Sequence, residues 1–311
     1  MTAPRVIGVT GTAADDTIEM PDGTRTLDRG GIAYAVITLS ALAPPGTRIV
    51  PVLGVGEDAF DGIREDFGRL PGVEVDGLAR VRAVNNKVRI VYAEDGSRME
   101  TLTGGVPPQP LDVFTPWLGR LDAWLWNMIS GMEVERDTFL AIKSAFEGPV
   151  HFDLHSLALH HHHGHARVHR VPLHWDEWVA GVTWVQLNEL EAGLLWDGHA
   201  TPIETGDEAA LAARIHALGV AGVLITRGAE GAAYYGAGGE AIREPAEEPA
   251  TAVDPTGCGD VFGAAWFALR AVCGLAPEAA LAGAVRAAGI AARVPGTRPL
   301  RDALGAAEIA P

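Results

Sequence analysis

A chain of 311 residues allows one large α/β domain or two modest ones. With 48% hydrophobic and 21% charged residues it can bury a sizeable core. A formal charge of −16 argues against a nucleic-acid partner, which needs clustered Lys and Arg, although converging backbone N–H groups can still hold an anionic ligand. Cys258 and Cys273 are too few for a disulfide framework, which points to a reducing compartment. The first eleven residues lack the apolar centre of a signal peptide, and no apolar run is long enough to span a bilayer. The expectation is a cytoplasmic protein with no membrane partner.

Residues 6–9 read as a strand, 32–42 as a helix after the Gly30-Gly31 pair, 49–55 as a strand and 59–70 as a helix. Residues 87–93 and the stretch after Arg98 flank the turn pair Asp95-Gly96, a hairpin signal. A strand at 124–129, a helix at 133–146 and a strand at 150–154 follow. The strand 184–187 then leads into a helix from Glu189. Residues 207–218 place Leu211, Ile215 and Leu218 on one helical face. Strands at 220–226 and 232–235 precede a long helix, 257–273, and a closing helix, 278–293. This alternation predicts a doubly wound, mostly parallel sheet flanked by helices, in a single α/β domain over 1–311. The hairpin falls outside the alternation and predicts a small β-sheet lid over 12–31 and 84–104.

There is one biased segment, His160 to His163 and His165, with His155 and His169 nearby. His161, His165 and His169 have the four-residue spacing of a metal site on a helix. Gly164 weakens a helix there, and the run holds no Cys or carboxylate. It reads as a solvated loop, with contact to a neighbouring subunit as one use.

Asp254-Pro255-Thr256-Gly257-Cys258-Gly259-Asp260, followed by an apolar helix, carries the most chemistry. Gly257 and Gly259 allow a sharp turn, and the helix that follows begins with unpaired N–H groups that attract anions. Asp260 lies beside that anion site, where a carboxylate can take the proton of a phosphoryl acceptor while the N–H groups neutralise the transferred phosphoryl. An Asp in a first turn otherwise only complements its helix dipole, which would hold it ionised and make it a weak base. The same dipole predicts a lowered pKa for Cys258. Asn188 and Glu191, three apart at a helix start, suit either a capping box or a water-mediated Mg²⁺ site. Thr226, Gly228 and Gly231 follow a strand, at the edge where open α/β sheets bind ligands.

These segments resemble, in order, motifs of the ribokinase-like (PfkB) carbohydrate kinase family. Asp254 to Asp260 is similar to its second signature, with Cys258 in place of a small residue. Asn188-Glu189-Leu190-Glu191 resembles its Asn-x-x-Glu, Thr226 to Gly231 its nucleotide loop, and Gly54-Val55-Gly56-Glu57-Asp58 its Gly-x-Gly-x-Asp segment. The resemblance implies transfer of the γ-phosphoryl of ATP, with Mg²⁺, to a hydroxyl of a sugar or nucleoside. Asp260 would be the base; Gly257, Cys258 and Gly259 the anion hole; Asn188, Glu191, Thr226, Gly228 and Gly231 the ATP–Mg²⁺ site. It also implies a K⁺ site on backbone near Asp254 and Thr256, and leaves a homodimer open. Asp16 aligns with the family's substrate aspartate, with Asp15 as an equal alternative, and Gly30 and Gly31 would let backbone approach the substrate. The first signature departs from the family, because Ala35 stands where Asn is usual. Asp153 and His155, ending another strand, are second-rank candidates. Tyr34 and the tryptophans offer stacking for a nucleobase. A silent ligand-binding sensor of the same fold is the alternative. A dehydrogenase is disfavoured, because Gly8-Val9-Thr10-Gly11 lacks the dinucleotide fingerprint.

Overall fold

The computed structural model describes residues 5–94, 97–246, 254–307 and 309. Its centre is an eight-stranded sheet in the order Ala241–Glu244, Ala232–Gly236, Gly222–Thr226, Trp184–Asn188, Val150–Asp153, Ala123–Asn127, Val6–Thr10 and Arg48–Pro51. The strands from Gly222–Thr226 to Arg48–Pro51 run parallel, and the two beyond Gly222–Thr226 run antiparallel. The expected mostly parallel, helix-flanked sheet is present.

Side-chain alternation explains why both faces are covered. In Ala123–Asn127, Ala123 and Leu125 join a core that contains the helices Ile32–Leu42, Cys258–Phe267 and Pro277–Ala291. Trp124 and Trp126 point the other way, into a core under the helices Arg136–Ala145, Glu189–Asp197 and Glu208–His216. There Trp126 meets Phe139 edge-on, with ring centroids 5.0 Å apart.

A separate four-stranded sheet runs Arg25–Gly31, Ala13–Glu19, Lys87–Tyr92, Arg98–Thr103. Both strands of the expected hairpin are present and antiparallel, and the turn pair Asp95-Gly96 lies outside the described residues. The inward face of this sheet is an apolar cluster of Ala14, Ile18, Val88, Ile90, Tyr92 and Leu102.

Some boundaries differ from expectation. The 257–273 stretch is an α-helix only over Cys258–Phe267 and continues as a π-turn over Ala268–Val272. The helix expected from residue 133 begins at Arg136, because the Glu133 carboxylate turns back to accept from Ser130 N, Ser130 Oγ and Thr12 Oγ1. A short helix, Leu300–Gly305, was not anticipated. Among the described residues no helix is long and apolar enough to cross a membrane.

Candidate active site

Parallel strands put their carboxyl ends along one edge of the sheet, and register pairs Asn127 with Asp153, Asp153 with Gln186, and Asn188 with Thr226. Above this edge lies a cavity of about 710 Å³. Asp16, Gly31, Asp153, His155, Asn188, Glu191, Thr226, Gly228, Thr256, Gly257, Gly259 and Asp260 all line it. Gly30, Cys258, Gly231 and Asp254 are not among its lining residues.

Gly257 has φ 77 and caps the helix Cys258–Phe267. A Cβ there would lie 2.5 Å from the Tyr34 ring, so glycine serves both the left-handed turn and the packing. The N–H groups of Gly259 and Asp260 have no backbone acceptor among the described residues. Asp254 Oδ1 accepts from Thr256 N at 2.9 Å, and Thr256 Oγ1 lies 3.0 Å from the Tyr92 hydroxyl, which joins this turn to the four-stranded sheet.

Asp260 accepts from Asn127 Nδ2 at 2.6 Å. Alternation in Ala123–Asn127 puts Asn127 on the face of Leu125, toward this helix. Burial pushes the Asp260 carboxyl above its ordinary value, against the opposing pull of His155, Asn127 and Arg98. The expected weak base is therefore corrected: the carboxyl is raised, with desolvation as the largest cause. The expected lowering for Cys258 also fails, because burial and the nearby Asp254 and Asp260 charges raise the thiol to about 12.

Asp16 is in the strand Ala13–Glu19 of the four-stranded sheet. Strand alternation separates it from its neighbour. Asp15 points outward and pairs with Arg29, whereas Asp16 shares the inward face with Ala14 and Ile18. Asp16 is 5% exposed, and its Oδ1 has no hydrogen-bond partner among the described residues. Burial, and then the charges of Glu100 and Asp260, hold its pKa well above the usual carboxylate range. Gly30 makes room for it, since a Cβ there would lie 1.6 Å from Asp16 Oδ2. Gly31, at φ 58, packs against the Thr12 carbonyl and starts the helix Ile32–Leu42. Ala35, at the departed signature position, is fully buried.

The capping box is fully formed. Asn188 N donates to Glu191 Oε2 and Asn188 Nδ2 to Glu191 Oε1, both at 2.8 Å, and Glu191 N donates back to Asn188 Oδ1. Both Glu191 oxygens are thus engaged, with His155 Nδ1 3.8 Å away. Burial would lower the His155 pKa, but the Glu191 hydrogen bond and the charges of Asp260 and Asp153 overcome it and leave the value at about 9. His155 also carries a positive φ of 33. Among the described residues no group of three or more His, Cys, Asp or Glu is arranged to hold a metal ion.

The two glycines of the 226–231 loop differ in what requires them. A Cβ on Gly231 would strike the Glu244 carbonyl at 2.0 Å, whereas one on Gly228 would meet open space. The loop is held from beneath by Glu208, which is fully buried and accepts from Arg227 Nε, the Tyr235 hydroxyl and Arg243 Nη2, each at 2.5 Å. The Gly54 to Asp58 segment also serves structure: Asp58 accepts from Asn85 N, and Asn85 bonds Gly56 N and the Ala13 carbonyl at the root of the four-stranded sheet.

Sequence reasoning missed Asn127, Gln186 and Glu208. Gln186 donates to Asp153 Oδ2 and the Gly259 carbonyl, both at 3.0 Å. Each sits in a pattern that reads as ordinary strand or helix. No tryptophan is among the cavity's lining residues, whereas Tyr34 is, although it is 3% exposed and packs against Gly257.

The pfkB family carbohydrate kinase profile matches residues 168–303. No curated protein matches the sequence. The ribokinase of Arabidopsis thaliana, solved with ribose and ATP, shares 23% identity at a TM-score of 0.76, covering 97% of this chain and 98% of that one. The ribokinase of Thermotoga maritima shares 22% at 0.75, with the same coverage. The nucleoside kinase of Burkholderia thailandensis, solved with inosine, shares 17% at 0.71, covering 96% and 95%. The resemblance read from the motifs is borne out, and the fold is ribokinase-like.

Proposed function

We propose that this chain, a ribokinase-like fold with a pfkB carbohydrate kinase match, moves the γ-phosphoryl of ATP to a hydroxyl of a small polyhydroxylated acceptor, a sugar or nucleoside. The observation that carries the reading is Asp260 at a helix start where the N–H groups of Gly259 and Asp260 have no backbone acceptor among the described residues, opening on the cavity shared by Asp16 and Thr226. Asp260 takes the acceptor proton. Its raised pKa makes it a better base than an ordinary aspartate. The N–H groups of Gly257 and Gly259 form the hole that receives the charge of the transferred phosphoryl, and that of Cys258, which donates to the Pro255 carbonyl at 3.4 Å, would join them only by giving up that weak bond. Asp16, buried with one oxygen unpartnered, binds the acceptor hydroxyl and orients it toward Asp260. The nucleotide lies along Thr226–Gly228 and the 188–191 helix start, and the four-stranded sheet acts as a lid that excludes water.

Mg²⁺ would neutralise the phosphate charge. Because Asn188 and Glu191 spend their polar atoms on each other, they fit a metal only through water. Backbone near Asp254 and Thr256 is where K⁺ would sit.

The test is ADP release with ATP and Mg²⁺ against a panel that includes ribose, inosine and myo-inositol. Turnover with at least one polyol or nucleoside is expected, and Asp16→Ala should raise the acceptor KM while sparing ATP binding. Tight nucleotide and polyol binding without any turnover would favour a silent sensor instead.

A further inference from the structure

The histidine-rich segment is solvated at residues 162–165, as its composition suggested, but it is tied to the fold on both sides. Leu159–His160 and Val168–His169 pair as a short antiparallel ladder, so residues 159–169 form a flap. The flap docks on the outer edge of the four-stranded sheet. Gly164 N donates to the Leu102 carbonyl at 3.1 Å, Arg167 N donates to the Glu100 carbonyl at 2.8 Å, and Thr101 bridges to Ala166. An exposed sheet edge is thereby covered.

Arg167 does more than complete this ladder. Its guanidinium is 1% exposed, yet it reaches the cavity wall. Nη1 donates to Glu100 Oε1 at 2.6 Å and to the Ile129 carbonyl at 3.3 Å, and Nη2 donates to the Ser130 carbonyl at 3.0 Å. Glu100 belongs to the four-stranded sheet, whereas Ile129 and Ser130 follow the central strand that ends in Asn127, the partner of Asp260. One planar fork therefore joins three parts: flap, outlying sheet and central sheet. Only an arginine supplies that geometry, since lysine offers a single point of donation. Glu100 and Asp16 lie on adjoining walls of the same cavity.

We propose that Arg167 is a positioning residue, which clamps Glu100 to the loop at Ile129–Ser130 and so seats the four-stranded sheet as the cover of the acceptor end of the cavity. The proposal rests on the kinase reading for what the cover does, namely keeping water from the phosphoryl group. The clamp itself is a matter of geometry. Without it the flap and the outer strand open together, and water replaces the acceptor.

The test pairs two measurements on the full chain. Arg167→Ala should speed amide hydrogen exchange at least tenfold in residues 98–103 and 159–169, with residues 184–188 unchanged. It should also raise ATP hydrolysis in the absence of any acceptor about fivefold or more. Glu100→Gln should shift both in the same direction. Should Arg167→Ala fail to fold, Arg167→Lys, which keeps the charge and loses the fork, carries the same comparison. Unchanged exchange in the outer strand would overturn the clamp, and faster exchange without faster hydrolysis would overturn its covering role. Exchange needs no turnover, so it decides the clamp even if no acceptor is phosphorylated and the kinase reading falls.

Discussion

Gly30→Ala puts a methyl carbon where the Asp16 carboxylate lies. The added Cβ would be 1.6 Å from Oδ2, 1.9 Å from Cγ and 2.3 Å from Oδ1, far inside contact distance. The carboxylate can escape only into the cavity that it lines, which takes it off the position it holds beside Ala14 and Ile18. Overpacking of this kind costs about 1–3 kcal/mol. In an Asp16→Ala background the carboxylate is gone, and the same methyl group should cost less than about 0.5 kcal/mol. The two substitutions should therefore couple by about 1–3 kcal/mol, with the double variant more stable than the sum predicts. Urea unfolding of all four proteins at a constant m value measures this. The acceptor KM of Gly30→Ala should rise as it does for Asp16→Ala, although Gly30 itself is not among the cavity's lining residues. Additivity within about 0.5 kcal/mol would refute the reasoning, because it would mean that the glycine is not there for the carboxylate.

Glu208→Ala leaves the buried Arg227 without its carboxylate and should cost about 3–5 kcal/mol, raising the KM for ATP more than that for the acceptor, as denaturation and steady-state kinetics would record. His155 moves from an ordinary 6.5 to about 9 in the folded protein. Its bound proton therefore adds stability that is complete below pH 6.5 and lost as pH rises through 9, at most about 3 kcal/mol. Melting temperatures across pH 6–10 should fall less steeply in His155→Asn than in the parent.

Much of this architecture was legible because apolar periodicity and glycine placement act locally. The alternation of strands and helices follows from side chains that must face one core or two, and the turn before Asp260 from the left-handed backbone at Gly257, which favours glycine. Asp16 was legible as a residue but not as a position. Its strand interrupts an apolar face with a carboxylate, a conflict between local pattern and chemistry that marks functional sites. Asn127 and Gln186 were not legible, because each ends or occupies an apolar strand and acquires its partner only when a helix far along the chain packs above it. The histidine segment is solvated as its composition reads, with residues 162–165 exposed, but its backbone donors at Gly164 and Arg167 meet a sheet edge that no local signal announces.

The most direct test of the central claim is steady-state turnover of Asp260→Asn beside the parent protein, with ATP affinity measured on both. An amide nearly preserves the contact with Asn127 but cannot accept the acceptor proton. Unchanged ATP binding and a thermal stability no lower than the parent's are expected, since a partly buried carboxylate with a raised pKa is replaced by a neutral group. A fall in kcat of at least about 100-fold is also expected, the scale of a lost general base. Turnover within a few fold of the parent would contradict the claim and remove Asp260 from the reaction.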